Sequence, residues 1–512
     1  MNNPIHLKIG ILAAVPEWIS LLDQIGVDWT SLESVFQLTP NSFSVLIVNR
    51  PITSIEIAEL DHYVRSGGAV LFTPEEEQQI LKKSTSRRFI FSLAPQNRNE
   101  YCYTDILDLY NNAYVFDRDS LTATDRIENG LNAYLGINIP LLYSDTEAMR
   151  RGFYARRSRL PNEIVAKRSR SSVRQIVQSF LEFLHHSRNL PFVHKWFYPS
   201  DHQTLFTFRI DSDKGTQLQI EEIFRLSELY SIPTTWFLDV KSHELWLKYF
   251  TKFKTQEIGV HCYDHTVSKS KALNRENFDK ALCLLRHQGM DPHGIAAPTG
   301  AWNSGLGKAF QELGLEYSSE FAYNYDDLPS YPIIDGSFSP VVQLPVHPCC
   351  IGNMRREQMS SQEMMEYFLS VINHKILCRE PVCLYHHPGH GTNEVFQEVF
   401  RYINSKHLLK LSYGEYARWW KRRQAASFSA QVEDGSIALE GQYAGADTYV
   451  RISLRGGKEA FLLPSGTVRV DELQWHEAPA PPDTPHDILR TRERNIRHYI
   501  HNALDWWIKT TE

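Results

Sequence analysis

The stretch EIGVHCYDHT, residues 257–266, places two histidines four residues apart directly after a short apolar run. The chain has 21 histidines among 512 residues, and at that frequency chance alone yields about one such pair per chain. A second pair, His386 and His390, lies at the end of another apolar run, PVCLYHH, residues 381–387. Whether either pair binds a metal ion therefore depends on the elements around it.

Apolar runs of strand length alternate with helical patterns through residues 201–426. Seven strand candidates are found, at residues 204–211, 234–238, 257–260, 294–298, 316–319, 341–346 and 381–387. Strands that alternate with helices form parallel sheets, which close into barrels or remain open. The pattern predicts an α/β fold for this region, either a barrel or a large open sheet, and assigns the catalytic domain to it.

Residues 1–115 show a shorter alternation of the same kind and predict a separate doubly wound α/β domain. A capping box, Thr53 with Glu56, begins one of its helices. In outline the domain resembles the flavodoxin-like domains related to glutamine amidotransferases. It lacks their nucleophile, because its one cysteine, Cys102, has no glycine elbow around it. We interpret it as a non-catalytic scaffold.

Residues 116–200 are predicted to form a connector that contains one amphipathic helix, residues 172–187. A basic patch precedes this helix, formed by Arg150, Arg151, Arg156, Arg157, Arg159, Lys167, Arg168 and Arg170. We interpret the patch as part of a solvated connector. The alternative is that it binds an anionic substrate or a phosphate-bearing carrier.

Residues 427–477 have a different sequence pattern, in which short stretches of alternating apolar and polar residues are separated by Asp-Gly, Gly-Gly and Ser-Gly turns. This pattern predicts a small antiparallel β module. Residues 478–512 contain a proline-rich linker and then an amphipathic stretch, which predict a C-terminal helix.

Composition excludes several classes of protein. A net charge of −6 indicates neither nucleic acid nor an anionic membrane as partner. No stretch approaches the roughly 20 apolar residues of a transmembrane helix. The seven cysteines are scattered without a C-x-x-C spacing, which favours a reducing compartment over a disulfide framework. We therefore expect a cytoplasmic protein.

Chemically versatile residues lie at four predicted strand ends in the 201–426 region. Asp211 and Asp213 end the first strand, His261 and His265 follow EIGV, and His386 ends the last strand. The segment APTGAWN, residues 297–303, follows another. In α/β barrels functional residues collect at the carboxyl ends of strands, because the loops there surround one opening. We expect these side chains to meet in one site.

Two imidazoles and one carboxylate are a typical ligand set for catalytic Zn²⁺, with one position left open for water. Asp213, His261 and His265 would supply this set. A second carboxylate, Asp211, would act as the base, and a histidine, His386, would protonate the leaving group. His387 and His390 lie on the same loop and are alternatives to His386. Such a site hydrolyses amides or esters.

The order of these motifs resembles the polysaccharide deacetylase family, also known as the NodB-homology domain or carbohydrate esterase family 4. TFRIDSD, residues 207–213, is similar to its first motif, H-x-x-x-H at 261–265 to its second, and LYH, residues 384–386, to its last. The resemblance implies a distorted (β/α) barrel. It also implies roles for individual residues: Asp211 as base, Asp213, His261 and His265 as metal ligands, His386 as acid, and Pro298, Gly300, Trp302, Leu384 and Tyr385 around the substrate.

One position departs from the family pattern. The third motif of the family carries an arginine two residues before its proline, where it orients the catalytic aspartate, and this chain has Ala296 before Pro298. An orienting partner for Asp211 must therefore come from elsewhere, or activity is reduced.

Three functions are weighed on this basis. The leading hypothesis is a metal-dependent carbohydrate deacetylase, using a divalent ion such as Zn²⁺. Its substrate would be an N-acetylated sugar, a glycan or a carrier-linked sugar precursor. Ala296 motivates the second, a non-catalytic carbohydrate-binding or scaffold protein on a decayed barrel. The third retains the metal hydrolase but changes the substrate to a non-sugar amide or cyclic imide.

Overall fold

The computed structural model describes residues 4–84, 86–88, 92–93, 113–117, 120–153, 161–442, 445, 447–479 and 489–490. Cys102, three arginines of the basic patch (Arg156, Arg157 and Arg159) and nearly all of the predicted C-terminal helix region lie outside these residues.

The first part of the chain forms a parallel sheet flanked by helices. Its elements are β1 (Ile5–His6), β2 (Ile9–Leu12), α1 (Pro16–Ile25), β3 (Trp29–Leu32), β4 (Val45–Val48), α2 (Ser54–Arg65), β5 (Ala69–Phe72), α3 (Glu77–Lys83), β6 (Ser86–Arg88), β7 (Ser92–Leu93), β8 (Ala113–Val115), β9 (Thr122–Ile127), β10 (Gly130–Leu135) and α4 (Ile139–Ser144). The strand order is β3-β2-β4-β5-β10-β9, and only the β9–β10 hairpin is antiparallel. The sheet therefore extends past the predicted boundary at residue 115.

The predicted connector is divided among three neighbouring parts of the molecule. It contains β11 (Ala148–Gly152), β12 (Asn162–Ala166), α5 (Arg170–Ser187) and β13 (Phe192–Lys195). The apolar face of α5 packs in the core of the first sheet, whereas the β11–β12 hairpin contributes Val165 and Ala166 to the core of the next domain. The two parts are thus joined by packing as well as by sequence.

The interpretation of the basic patch as solvated is wrong for its described buried members. Arg168 is 3% exposed and pairs with Asp145, with 3.0 Å between Nη2 and Oδ2. Arg170 is also buried and lies over the Tyr323 ring at 4.3 Å. These guanidinium groups make contacts inside the protein, because a buried charge needs a partner.

The second α/β region contains the strands that carry the predicted site. Its elements are β14 (Leu205–Asp211), α6 (Gln217–Leu229), β15 (Thr234–Asp239), α7 (Val240–His243), β16 (Glu257–Cys262), α8 (Lys271–His287), β17 (Gly294–Ile295), α9 (Ser304–Glu312), β18 (Tyr317–Ser318), β19 (Ile333–Ile334), β20 (Ser337–Phe338), β21 (Val342–Gln343), α10 (Ile351–Arg356), α11 (Ser361–Cys378), β22 (Val382–His386), α12 (Asn393–Ser405), β23 (Leu409–Lys410) and α13 (Tyr413–Ala425).

Seven of these strands form one parallel sheet in the order β21-β18-β17-β16-β15-β14-β22, and β23 pairs with β14 as an eighth. All seven strand candidates from the sequence are members of it. The sheet curls until the backbone N–H of His347, beyond β21, donates to the carbonyl of Cys383 in β22 at 2.8 Å. The predicted distorted (β/α) barrel is confirmed.

The last described part is antiparallel, as predicted, but it incorporates strands from elsewhere in the chain. Its elements are β24 (Ser427–Glu433), β25 (Ser436–Gln442), β26 (Val450–Leu454), β27 (Lys458–Leu462), β28 (Gly466–Arg469), β29 (His476–Glu477) and β30 (Leu489–Arg490). β1 completes one four-stranded sheet with β24, β25 and β28, and β13 completes a second with β26, β27 and β29. In the described part of the chain, no helix has the length and apolar character of a membrane span.

Candidate metal centre at the carboxyl ends of the barrel strands

The Asp-Ser-Asp sequence at the end of β14 directs two carboxylates to the same cleft. Residues i and i+2 of an extended chain share a face, whereas the residue between them points the other way. Ser212 is fully buried, and its hydroxyl accepts a hydrogen bond from the N–H of Asp239 at 2.9 Å. Asp211 and Asp213 both line the cleft, so the extra residue between them preserves their common orientation.

Asp213 lies between the two histidines of the H-x-x-x-H segment. Its Oδ1 is 3.0 Å from His261 Nε2, and its Oδ2 is 3.2 Å from His265 Nε2. His261 lies in the buried part of β16 and is 1% exposed, whereas His265 lies on the following loop and its side chain is 33% exposed. The fold therefore brings together the three residues that the sequence predicts as metal ligands.

Hydrogen bonding around His261 suits a metal ligand. Its Nδ1 is 2.6 Å from the carbonyl oxygen of Ala296, which requires the proton on Nδ1, so Nε2, which faces Asp213, offers a lone pair whenever the imidazole is neutral. Metal-binding histidines are held in this way by a second partner. His261 Nε2 and Asp213 Oδ1 are both buried and have no hydrogen-bond partner among the described residues.

The spacing of these atoms also fits a cation. Tetrahedral Zn²⁺ with bonds of about 2.0–2.1 Å keeps its ligand atoms about 3.3 Å apart, close to the two distances observed. Burial raises the pKa of Asp213, but the imidazoles of His261, His265 and His387 lower it further, to well below its ordinary value. The carboxylate is thus ionised at neutral pH and is held by neighbours that a cation can replace.

Arg209 supplies the orienting group that is missing at position 296. It lies two residues before Asp211 on the same face of β14, and its Nη2 donates to Asp211 Oδ2 at 2.9 Å. Its Nη1 donates to the carbonyl of Ser319 at 2.5 Å, and the side chain is fully buried. Asp211 Oδ1 keeps no hydrogen-bond partner among the described residues and is free to accept a proton in the cleft. The arginine was within the motif TFRIDSD, but its role was not recognised.

The structure does not bring His386 to the site. β22 pairs with β14 so that Arg209 lies beside Tyr385 and Ile210 beside His386. Registered neighbours in a sheet point to the same face, so His386 follows Ile210 into the core, where its ring lies 4.7 Å from that of Phe396. His387 reaches the cleft instead, with Nε2 3.4 Å from Asp213 Oδ2.

The predicted substrate-binding residues divide in the same way. Tyr385 lines the cleft, whereas Leu384 is fully buried in the barrel core. Gly300 lines it too, at a φ of +58°, and a Cβ there would lie 2.3 Å from the Phe321 ring. Trp302 packs against Tyr323 with ring centroids 4.7 Å apart, and it is absent from the cleft wall. Pro298 is buried and begins the turn that positions Gly300.

The cleft has a volume of about 700 Å³. Besides the residues named above, its wall includes side chains that the sequence did not single out, namely Glu163, Thr299, Phe321, Cys350, Asn353, Arg355 and Arg356. Glu163 comes from β12, so the predicted connector contributes to the site. Two guanidinium groups, from Arg355 and Arg356, are exposed at the rim.

A curled parallel sheet with an Asp–His–His cluster at its strand ends defines the class: an α/β barrel with a candidate metal centre in an open cleft. Comparison with known proteins finds no matching family model and no matching curated protein. Solved structures do match.

The chain is similar to a Mycobacterium smegmatis protein assigned as a polysaccharide deacetylase, with 15% identity and a TM-score of 0.39 over 44% of this chain and 93% of that one. It is similar to PuuE allantoinase, with 16% identity and a TM-score of 0.37 over 44% and 92%. A carbohydrate esterase family 4 pseudoenzyme from Bacillus anthracis has 13% identity and a TM-score of 0.32 over 43% and 66%. At these values a function must be argued from the residues of this chain.

Proposed function

We propose that the chain is a metal-dependent hydrolase that removes acetyl groups from N-acetylated sugars or glycans. The observation that carries this proposal is the convergence of Asp213, His261 and His265 beside the free oxygen of Asp211 in one cleft. A divalent ion in this centre, Zn²⁺ by its ligand set, would polarise the acyl carbonyl and acidify a water molecule.

Asp211 is the proton-transferring group in this proposal. Its Oδ2 accepts a hydrogen bond from Arg209, while Oδ1, at the cleft wall, has no partner among the residues that the structure describes. Oδ1 accepts a proton from the attacking water and afterwards returns it to the departing nitrogen of the sugar. The role that the sequence suggested for His386 thus passes to Asp211, because His386 is turned into the core.

The cleft suits a sugar that carries an anionic group. Tyr385 and Phe321 offer apolar surface to a sugar ring. Arg355 and Arg356 offer exposed guanidinium groups, which bind phosphate well. These features favour a carrier-linked or phosphorylated sugar precursor. The six described cysteines form no disulfide, which supports a reducing compartment such as the cytoplasm.

The non-catalytic alternative loses its main support, because Arg209 replaces the guanidinium missing at Ala296. The test is acetate release from N-acetylhexosamine oligomers and an N-acetylhexosamine phosphate, compared with ring opening of a cyclic imide, by the Zn²⁺-loaded protein. We expect Asp211→Asn to lower acetate release by about 10²–10⁴-fold, the usual contribution of a general base.

His386→Gln is the matched control, since it changes an adjacent-strand residue outside the cleft and is expected to retain the rate of the wild type. Equal activity of Asp211→Asn and the wild type would refute the mechanism. Activity on the cyclic imide alone would replace the sugar by a non-sugar amide as substrate.

A further inference from the structure

A second group of metal-binding side chains lines the cleft beside the Asp–His–His centre. Cys350, His387 and His390 each offer a ligand atom, and these atoms lie within 4.8 Å of one another. Cys350 Sγ is 3.8 Å from His390 Nδ1. None of the three belongs to the ligand set described above, and the proposed deacetylation uses none of them.

The surrounding backbone is shaped to bring these groups together. The His390 ring lies against Gly352, where a Cβ would come within 2.4 Å of its Cε1. The amide oxygen of Asn353 accepts from the N–H of Cys350 at 2.9 Å, and its amide nitrogen donates to Glu163 Oε2 at 2.8 Å. Contacts within the protein therefore fix the positions of both Cys350 and His390.

The chemistry of the three groups points to a soft divalent cation. A thiolate with two imidazoles is a ligand set that zinc favours. With bonds of about 2.3 Å to sulfur and 2.0–2.1 Å to nitrogen, tetrahedral Zn²⁺ sets S and N about 3.6 Å apart, near the observed distance.

A buried polar atom without a partner supports the same conclusion. His387 Nδ1 is buried and has no hydrogen-bond partner among the described residues. A cysteine–histidine nucleophile pair would need only one imidazole, whereas here two converge on the sulfur.

We propose that Cys350, His387 and His390 form a second divalent cation site of the zinc type. It adjoins the first, since His387 Nε2 lies 3.4 Å from Asp213 Oδ2. All three residues line the cleft, so an ion held by them would place a second positive charge beside a bound substrate. The support for this site does not rest on the proposed deacetylation, although the two share one cleft.

The test is metal titration of the full chain after removal of bound ions, with Zn²⁺ for stoichiometry and Co²⁺ for spectroscopy. We expect two ions per chain and a thiolate-to-cobalt charge-transfer band in the near ultraviolet. Cys350→Ser should bind one ion and lose the band. His261→Ala should also bind one ion but keep the band, which separates failure of this site from failure of the first. Cys349→Ala, the matched control at the neighbouring cysteine, should behave as the wild type.

A second measurement needs no variant. Saturating Zn²⁺ should slow alkylation of Cys350 in the unaltered chain, as followed by peptide mass spectrometry. Saturation of the wild type at one ion, a charge-transfer band that survives in Cys350→Ser, or alkylation at the same rate with and without Zn²⁺ would each overturn the proposal.

Discussion

The two parallel sheets of this protein differ in what the polar side chains at their strand ends do. In the first sheet, Asn49 and Thr73 follow β4 and β5, and they bond to each other and to Trp18 and the Ala13 carbonyl. In the barrel, Asp213 follows β14 and His261 lies one residue before the end of β16, yet their facing atoms have no hydrogen-bond partner among the described residues. Both sheets bring polar groups together at strand ends.

The difference lies in what the residue types can do once they meet. An amide, a hydroxyl and an indole N–H can satisfy one another, as Asn49, Thr73 and Trp18 do at the end of the first sheet. A carboxylate and two imidazoles with inward lone pairs instead favour a cation. A parallel sheet therefore brings polar side chains together at its strand ends. The donors and acceptors that these side chains carry determine whether they can bind a cation.

The largest effect expected from this comparison is on activity. His261→Ala removes a proposed metal ligand and should lower acetate release by about 10³-fold, since such an ion supplies several kcal/mol. Asn49→Ala, at the equivalent end of the first sheet, should leave the rate unchanged and lower the free energy of unfolding by about 1–3 kcal/mol. Rate assays and urea unfolding of both variants check this, and a slow Asn49→Ala enzyme would break the comparison.

A smaller effect on rate is expected from Arg209→Lys. Lysine keeps the charge but cannot contact both Asp211 and the Ser319 carbonyl as the guanidinium does. We expect kcat to fall by about 10²-fold, in line with impaired general-base catalysis. Arg423→Lys is the matched control, because Arg423 is equally buried but donates to the Trp196 carbonyl away from the cleft. It should lower stability without lowering kcat.

The double variant Arg209→Ala with Ala296→Arg tests the replacement directly. It moves the guanidinium to the position of the family motif, and we expect it to recover activity relative to Arg209→Ala alone. If it recovers none, the two positions are not equivalent.

The helix α5, which packs against the first sheet, contains a pH-sensitive group. His185 in α5 is buried against Phe192, and burial lowers its pKa to about 3. Because the folded pKa lies below the unfolded value of 6.5, its stabilising contribution is complete above pH 6.5 and is lost as the pH falls towards 3. Between these values one extra proton binds on unfolding, which corresponds to about 1.4 kcal/mol per pH unit.

His185→Leu should reduce the slope of unfolding free energy against pH by that amount. Urea unfolding from pH 7 to pH 4 measures the slope, and an unchanged slope would contradict the assignment.

The smallest expected effects come from a device that both regions share. Thr53 and Ser360 begin α2 and α11 with capping boxes, completed by Glu56 and Glu363. Thr53→Ala and Ser360→Ala should each lower the free energy of unfolding by about 1 kcal/mol. Similar values would show that the local interaction is independent of the sheet it serves, whereas a difference of several kcal/mol would show coupling to the surrounding fold.

Much of the fold could be predicted because its signals are local. Strands buried on both faces of a parallel sheet are continuous apolar runs, and seven of the eight strands of the barrel sheet were recognised from the sequence, whereas the two-residue β23 was not. The clustering of Asp213, His261 and His265 was also predicted, since strand ends in such a fold share one opening.

The choice between His386 and His387 could not be made from the sequence. PVCLYHH is apolar on both faces, so alternation does not reveal which residues face the cleft, and a shift of one residue reverses every side chain. The register of β22 against β14 decides it. The boundary at residue 115 failed for a similar reason, because the β9–β10 hairpin joins its sheet through β5, which is distant in sequence.

By itself the amino-acid sequence determined seven strands and several helices of the barrel, their caps and the candidate metal ligands Asp213, His261 and His265, because apolar periodicity and capping act between near neighbours. Only the tertiary structure decided that Arg209 donates a hydrogen bond to Asp211, that His386 is buried, and that Cys350 meets His387 and His390. These outcomes depend on strand register and on loops that converge from distant parts of the chain, and neither is encoded in any short stretch of it.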